Sequence, residues 1–128
     1  MAEASVPNIT YEEVPASGFR FSYMTDEGKE VGRTFLYILQ NDPVGEGTAR
    51  RTFGFIEDVA VDKAYERLGI GTALMQAAID MAQSLGCYKV VWTSRLDRAG
   101  VHEWYLKSKY GKFGCPEIRG VEFRLNLT

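Results

Sequence analysis

The sequence predicts an α/β (α+β) fold, a mixed β-sheet carrying two main helices. Three observations predict it. Residues 69–85 place apolar side chains at helical spacing. β-rich runs at 53–61 and 89–93 flank that helix, and a strand–helix–strand crossing of this length makes its two strands parallel neighbours. Residues 19–24 and 31–39 are strand-like runs on either side of a turn, which reads as an antiparallel hairpin.

The elements follow in order. Residues 1–8 read as a flexible tail, and residues 9–14 as a short edge strand broken by Pro15. Phe19-Arg20-Phe21-Ser22-Tyr23-Met24 alternates with the period of a half-buried strand. Asp26, Glu27, Gly28 and Lys29 make the turn, and Gly32 in the returning strand marks a bulge. Residues 41–51, with their Gly, Asp and Pro, form a mobile loop before the strand 53–61. In the helix 69–85, Ile70, Leu74, Ala77, Ala78, Met81 and Leu85 share a face, and Gly86 stands where a left-handed residue would end it. The strand 89–93 comes next. A second helix spans 99–110, with Val101, Trp104, Tyr105 and Ser108 on one side. Val121-Glu122-Phe123-Arg124-Leu125-Asn126-Leu127 alternates strictly and reads as a closing strand. The expected order is β-β-β-β-α-β-α-β, in one domain over residues 1–128.

Composition limits the function. A chain of 128 residues has room for one core. Its 45% hydrophobic and 25% charged residues are those of a soluble globular protein. A net charge of -2 argues against nucleic acid as a partner, which requires a basic face. No apolar run approaches the roughly 18 residues of a membrane span, and no cleavable leader opens the chain. Cys87 and Cys115 are too few for a disulfide framework, and together with one histidine they lack metal-ligand spacing. Reduced thiols in the cytoplasm and no metal are the expectation.

The chemistry concentrates between residues 57 and 72. The strand ending Val59, Ala60, Val61 feeds a polar connection and then Glu66-Arg67-Leu68-Gly69-Ile70-Gly71-Thr72, where the helix opens. The first amides of a helix have no partner within it, so they form an anion site. Two glycines let a phosphate approach the backbone closely. A dinucleotide fingerprint would need a third glycine where Leu74 stands, and no Gly-x-x-x-x-Gly-Lys-Ser/Thr run occurs. Glu57 and Asp58 lie just upstream. An anion cradle beside two carboxylates suggests a phosphate-bearing cofactor meeting an amine. In a regular strand the two carboxylates point to opposite faces, and a bulge would bring both to one cleft.

This stretch resembles the GNAT superfamily of acyl-CoA-dependent N-acyltransferases, whose cofactor loop reads Arg/Gln-x-x-Gly-x-Gly/Ala after a Val-x-Val-like strand end. The run Ile56-Glu57-Asp58 is similar to two branches, the polyamine and the glucosamine-phosphate acetyltransferases, and the segment Leu85-Gly86-Cys87-Tyr88-Lys89-Val90 is similar to the latter. The resemblance covers roughly residues 53–113. Glu66 stands where that family carries Arg or Gln, and Arg98 where it carries Asn. The resemblance implies acetyl-CoA as co-substrate, held by Val59, Ala60, Val61, Glu66, Arg67, Leu68, Gly69, Ile70, Gly71, Thr72 and Arg98. It also implies a shortened amino-terminal part, because no helix fits between the first two strands. The cleft is then open, or completed by a second subunit in a homodimer.

Acyl transfer to an amine needs a base for the ammonium proton, a donor for the carbonyl oxygen, and an acid for the departing thiolate. Glu57 is the first candidate base, and Asp58 a candidate for holding the cationic amine. His102, the single histidine, is the alternative base. Tyr105, in Val101-His102-Glu103-Trp104-Tyr105-Leu106-Lys107, matches the family's acid tyrosine; Tyr110 is the alternative. Arg95, Arg98, Lys107, Lys109 and Lys112 form a basic cluster that meets phosphates or simply faces solvent. The expected function is an N-acetyltransferase that acts on a small primary amine by direct attack in a ternary complex. A non-catalytic acyl-CoA-binding module and a protein N-acetyltransferase are the alternatives.

Overall fold

A computed structural model describes residues 8–42, 50–94 and 99–128. Three long strands come first: β1 (Ser17–Met24), β2 (Glu30–Asn41) and β3 (Arg51–Val61). Helix α1 (Ile70–Ser84), the short strand β4 (Val90–Trp92) and helix α2 (Ala99–Lys107) follow. Single 3-10 turns occupy Lys63–Tyr65 and Gly111–Phe113. The sheet order is β1-β2-β3-β4, antiparallel except for the parallel pair β3–β4. The hairpin and the crossover therefore stand as the sequence predicted.

The β1–β2 turn closes where Thr25 N–H donates to Lys29 O at 2.8 Å, with Gly28 at φ 85. One face of the sheet packs on α1. Leu36, Ile56, Met75, Ala78 and Ala82 are 0–1% exposed at that contact. Burying a side chain of the size of Leu36 or Met75 contributes about 1.5–3 kcal/mol. A second cluster joins Val31, Ile70 and Leu74. There Gly32 decides the fit: a Cβ on it would come within 2.9 Å of Ile70 Cγ2 and 3.1 Å of Leu74 Cδ1. Gly32 also stands at a bulge, as its reading predicted, because Tyr23 pairs with Gly32 and Met24 with Glu30, leaving Val31 extra. The α1 stripe also differs from the expected one. Ala77 and Leu85 are exposed, and Met75, Ile79 and Ala82 take the core positions. Gly86 follows the helix at φ 83, as its position implied.

Other expectations are corrected. Residues 9–14 form no strand, and neither do residues 121–127. Phe123, Leu125 and Leu127 are 92%, 83% and 89% exposed. Alternation supplies two faces, but a strand also needs a neighbouring edge to pair with, and none of the described strands pairs with this segment. Helix α2 stops at Lys107 instead of Tyr110. Tyr110 N–H bonds instead to Gly114 O at 2.9 Å, and the tyrosine turns into the core at 2% exposure. The tail reading for residues 1–7 and most of the 41–51 loop fall outside the described residues.

Candidate active site

The parallel pair β3–β4 is short. Gly54, Phe55 and Ile56 pair with Val90, Val91 and Trp92, and β3 then runs on to Val61 without a β4 partner. A cleft of about 730 Å³ opens there. Its walls are the far half of β3, the turn before α1, the end of β4 and one side of α2.

The floor is the start of α1. Gly69 precedes the helix at φ 83, a left-handed conformation that glycine adopts without cost, and no side chain caps the helix. The first helical bond runs from Ala73 N–H to Gly69 O at 3.0 Å. The amides of Ile70, Gly71 and Thr72 thus have no acceptor within the helix, and all three residues line the cleft. At Gly71 an added Cβ would lie 3.5 Å from Trp104 Cη2 and 3.8 Å from Val61 Cγ2, ordinary contacts. The protein itself leaves room for a side chain here, and the bare glycine keeps the helix amides open to the cleft. That donor set fits a phosphate group.

Of the residues expected around a cofactor, Val59, Val61, Glu66, Arg67, Gly69, Ile70, Gly71 and Thr72 line the cleft. Ala60 and Leu68 do not, and Leu68 points to solvent at 68% exposure. Arg98 and Arg95 lie outside the described residues. Lys107 pairs with Glu103 at 2.8 Å on a well-exposed surface, so that part of the basic cluster is a solvated helix face.

α2 forms the opposite wall. Gly100, Val101, Trp104 and Tyr105 recur at helical spacing and face the cleft. The Tyr105 ring stands 5.6 Å from the Trp92 centroid and 4.8 Å from the Trp104 centroid. Tyr110 meets the edge of Trp92 at 6.2 Å from the core side and does not line the cleft. Burial pushes its hydroxyl above the usual tyrosine range. His102 is half-buried and outside the lining, with Nε2 shielded and without a hydrogen bond among the described residues.

The two carboxylates separate. Asp58 lines the cleft and Glu57 does not. A bulge does occur between them and β2: Phe35 pairs with Glu57 and Arg33 with Ala60, so Thr34 alone faces Asp58 and Val59. Asp58 sits at φ 57, and its Oδ2 accepts from Arg33 Nε at 3.1 Å. Glu57 is exposed, opposite Phe35. Glu122 also reaches the cleft lining. Nothing in the sequence signalled it, because it reads as one polar position of an alternating run. Cys87 is half-buried beside the core, where burial raises its thiol pKa, contrary to what a nucleophile needs.

A mixed sheet whose short parallel pair ends beside an uncapped helix start, faced by a tyrosine-bearing helix, defines an α/β domain with an open cleft at that end. The chain belongs to the acetyltransferase (GNAT) family, whose model matches residues 4–110. It is 46% identical over 95 residues to a glucosamine 6-phosphate N-acetyltransferase of Trypanosoma brucei brucei, covering 65% of this chain and 65% of that protein. It is 42% identical over 65 residues to streptothricin acetyltransferase A of Bacillus subtilis, covering 48% of this chain and 36% of that one. The chain therefore spans from about a third to about two thirds of these relatives' lengths. A crystal structure of a Trypanosoma brucei acetyltransferase superposes at TM-score 0.62 with 27% identity, over 86% of this chain and 69% of that one. The glucosamine-6-phosphate N-acetyltransferase of Arabidopsis thaliana, at TM-score 0.64 and 18% identity over 87% of this chain and 67% of that one, shares the fold.

Proposed function

We propose that the protein transfers an acetyl group from acetyl-CoA to a primary amine of a small molecule, by direct attack in a ternary complex. The observation that carries this reading is the uncapped start of α1 at Ile70, Gly71 and Thr72, opening on the gap where β3 leaves β4. Those amides would hold the pyrophosphate, with Arg67 beside them. The β3 edge at Val59, Ala60 and Val61, beyond its last pair with β4, offers backbone groups for the amides of the pantetheine arm. Arg98 completes the proposed phosphate contacts.

The thioester supplies an activated acetyl group, so no covalent enzyme intermediate is needed. Asp58 holds the cationic amine by charge. Glu57, through water, or His102 takes the ammonium proton, because the attacking nitrogen needs its lone pair. The nitrogen bonds to the carbonyl carbon, the carbon–sulfur bond breaks, the Tyr105 hydroxyl gives its proton to the departing sulfur, and the second proton of the attacking nitrogen restores the tyrosine hydroxyl. Much of the acceleration comes from holding the two substrates together. The named activities of the relatives support a small amine such as an amino sugar. We place the reaction in the cytoplasm; we also propose a homodimer, for which the exposed apolar side chains Phe123, Leu125 and Leu127 speak.

A second reading, an acyl-CoA-binding module without turnover, draws on Glu57 lying outside the cleft lining. A panel of amines (spermidine, glucosamine 6-phosphate, an aminoglycoside and a lysine-containing peptide) assayed with acetyl-CoA for thiol release separates the readings. Release with a small amine supports the proposal. Coenzyme A binding without release in every case supports the module, and release with the peptide alone makes it a protein acetyltransferase.

A further inference from the structure

Thr34 is fully shielded from solvent, the one buried polar side chain of the sheet and helix core among the described residues. It lies in β2 opposite the bulge, one residue facing two. Its Oγ1 donates to the Glu57 carbonyl at 3.1 Å, on the residue just before the bulge begins. The next residue, Asp58, holds a left-handed φ of 57, which costs most side chains energy and aspartate less. In a regular strand Asp58 would share a face with Ile56, the face that packs on α1. The bulge releases it from that face, so that Asp58 meets Arg33 and lines the cleft.

We propose that Thr34 is a positioning residue: its hydroxyl pins the Glu57 carbonyl, fixes the bulge, and so aims the Asp58 carboxylate at the acceptor amine. This rests on the acceptor role given to Asp58 above. Without the hydroxyl the Glu57 carbonyl loses its side-chain donor and the bulge loses its anchor. Pairing without the bulge would shift the strand by one residue and turn Asp58 inward. Serine keeps the donor, whereas valine keeps only the shape.

The test measures acceptor KM, kcat and coenzyme A affinity in Thr34→Val, Thr34→Ala, Thr34→Ser, Asp58→Asn and the Thr34→Val/Asp58→Asn double variant. The acceptor is the panel amine that the wild type turns over fastest. The expected result is an acceptor KM raised roughly tenfold in Thr34→Val and Thr34→Ala. Coenzyme A affinity should change much less, Thr34→Ser should match the wild type, and Thr34→Val should add nothing to Asp58→Asn. A raised KM in Asp58→Asn with unchanged KM in both Thr34→Val and Thr34→Ala overturns the inference. So does a Thr34→Ser variant as impaired as Thr34→Ala, which also decides the matter should the valine variant fail to fold. An unaffected Asp58→Asn, or a wild type that turns over no amine, removes the underlying reading instead, and the inference falls with it.

Discussion

The indole of Trp104 lies against Gly71, with its Cη2 3.5 Å from the point a Cβ on the glycine would occupy. The Trp104 side chain thus reaches from α2 to the start of α1, and both residues line the cleft. A methyl group at Gly71 makes only ordinary contact with the indole. Gly71→Ala should therefore melt close to the wild type. Gly71→Val should lose most of the coenzyme A affinity with the fold retained. Gly69→Ala behaves differently: at φ 83 it strains the backbone and should lower stability by about 1 kcal/mol. Calorimetric titration beside thermal melting distinguishes the two.

Tyr105→Phe removes one oxygen and keeps the ring contacts to Trp92 and Trp104. The melting temperature should hold and coenzyme A affinity should change little. The catalytic rate should fall by a factor of ~10²–10⁴, as for loss of a positioned acid. An active variant with a lowered melting temperature would make Tyr105 a structural residue.

Glu57→Gln should lower turnover at neutral pH and recover part of it at high pH, where free amine is more abundant. If the activity of this variant is intact while His102→Ala loses it, the base is the histidine.

Most of the sheet and both helices were legible because their signals are local. Alternation around residues 25–29 and the glycine turn at 69–71 each need no knowledge of distant contacts. The errors arose where a partner decides. Residues 121–127 alternate as well as β1 does, yet sequence carries no information about whether an edge is there to receive them. The α1 stripe was misjudged at Ala77 and Leu85 because the helix lies across Gly32 and Gly54, a crossing that only the packed sheet defines. In the site, the glycine turn was readable from residue type and spacing, whereas Tyr105, which lines the cleft, was singled out only by the family resemblance. The different placement of Glu57 and Asp58 was not, since it depends on a bulge fixed by Thr34 from another strand.

Met75 is fully buried between the sheet and α1. Met75→Ala should cost about 2–5 kcal/mol, read as a lowered denaturant midpoint with an unchanged slope.

Arg20 and Ser22 hold the Glu30 carboxyl at about 2, below its ordinary 4.5, through hydrogen bonds on an open surface. A carboxyl depressed in the folded state stabilises above its unfolded value and loses that contribution as pH falls toward the folded one. Glu30→Gln should therefore lower the melting temperature slightly near neutral pH, by an amount screened by solvent and salt. The difference from the wild type should fade as pH drops from about 4.5 to about 2. A difference that persists undiminished at the acid end would show that packing, and not the charge, is responsible.

The most direct test of the central claim is an amide-resolved NMR titration with coenzyme A. Binding at the start of α1 predicts the largest shifts at the amides of Ile70, Gly71 and Thr72, followed by Val59, Ala60 and Val61. Saturable binding that leaves those six amides in place, or no binding at millimolar coenzyme A, would contradict it.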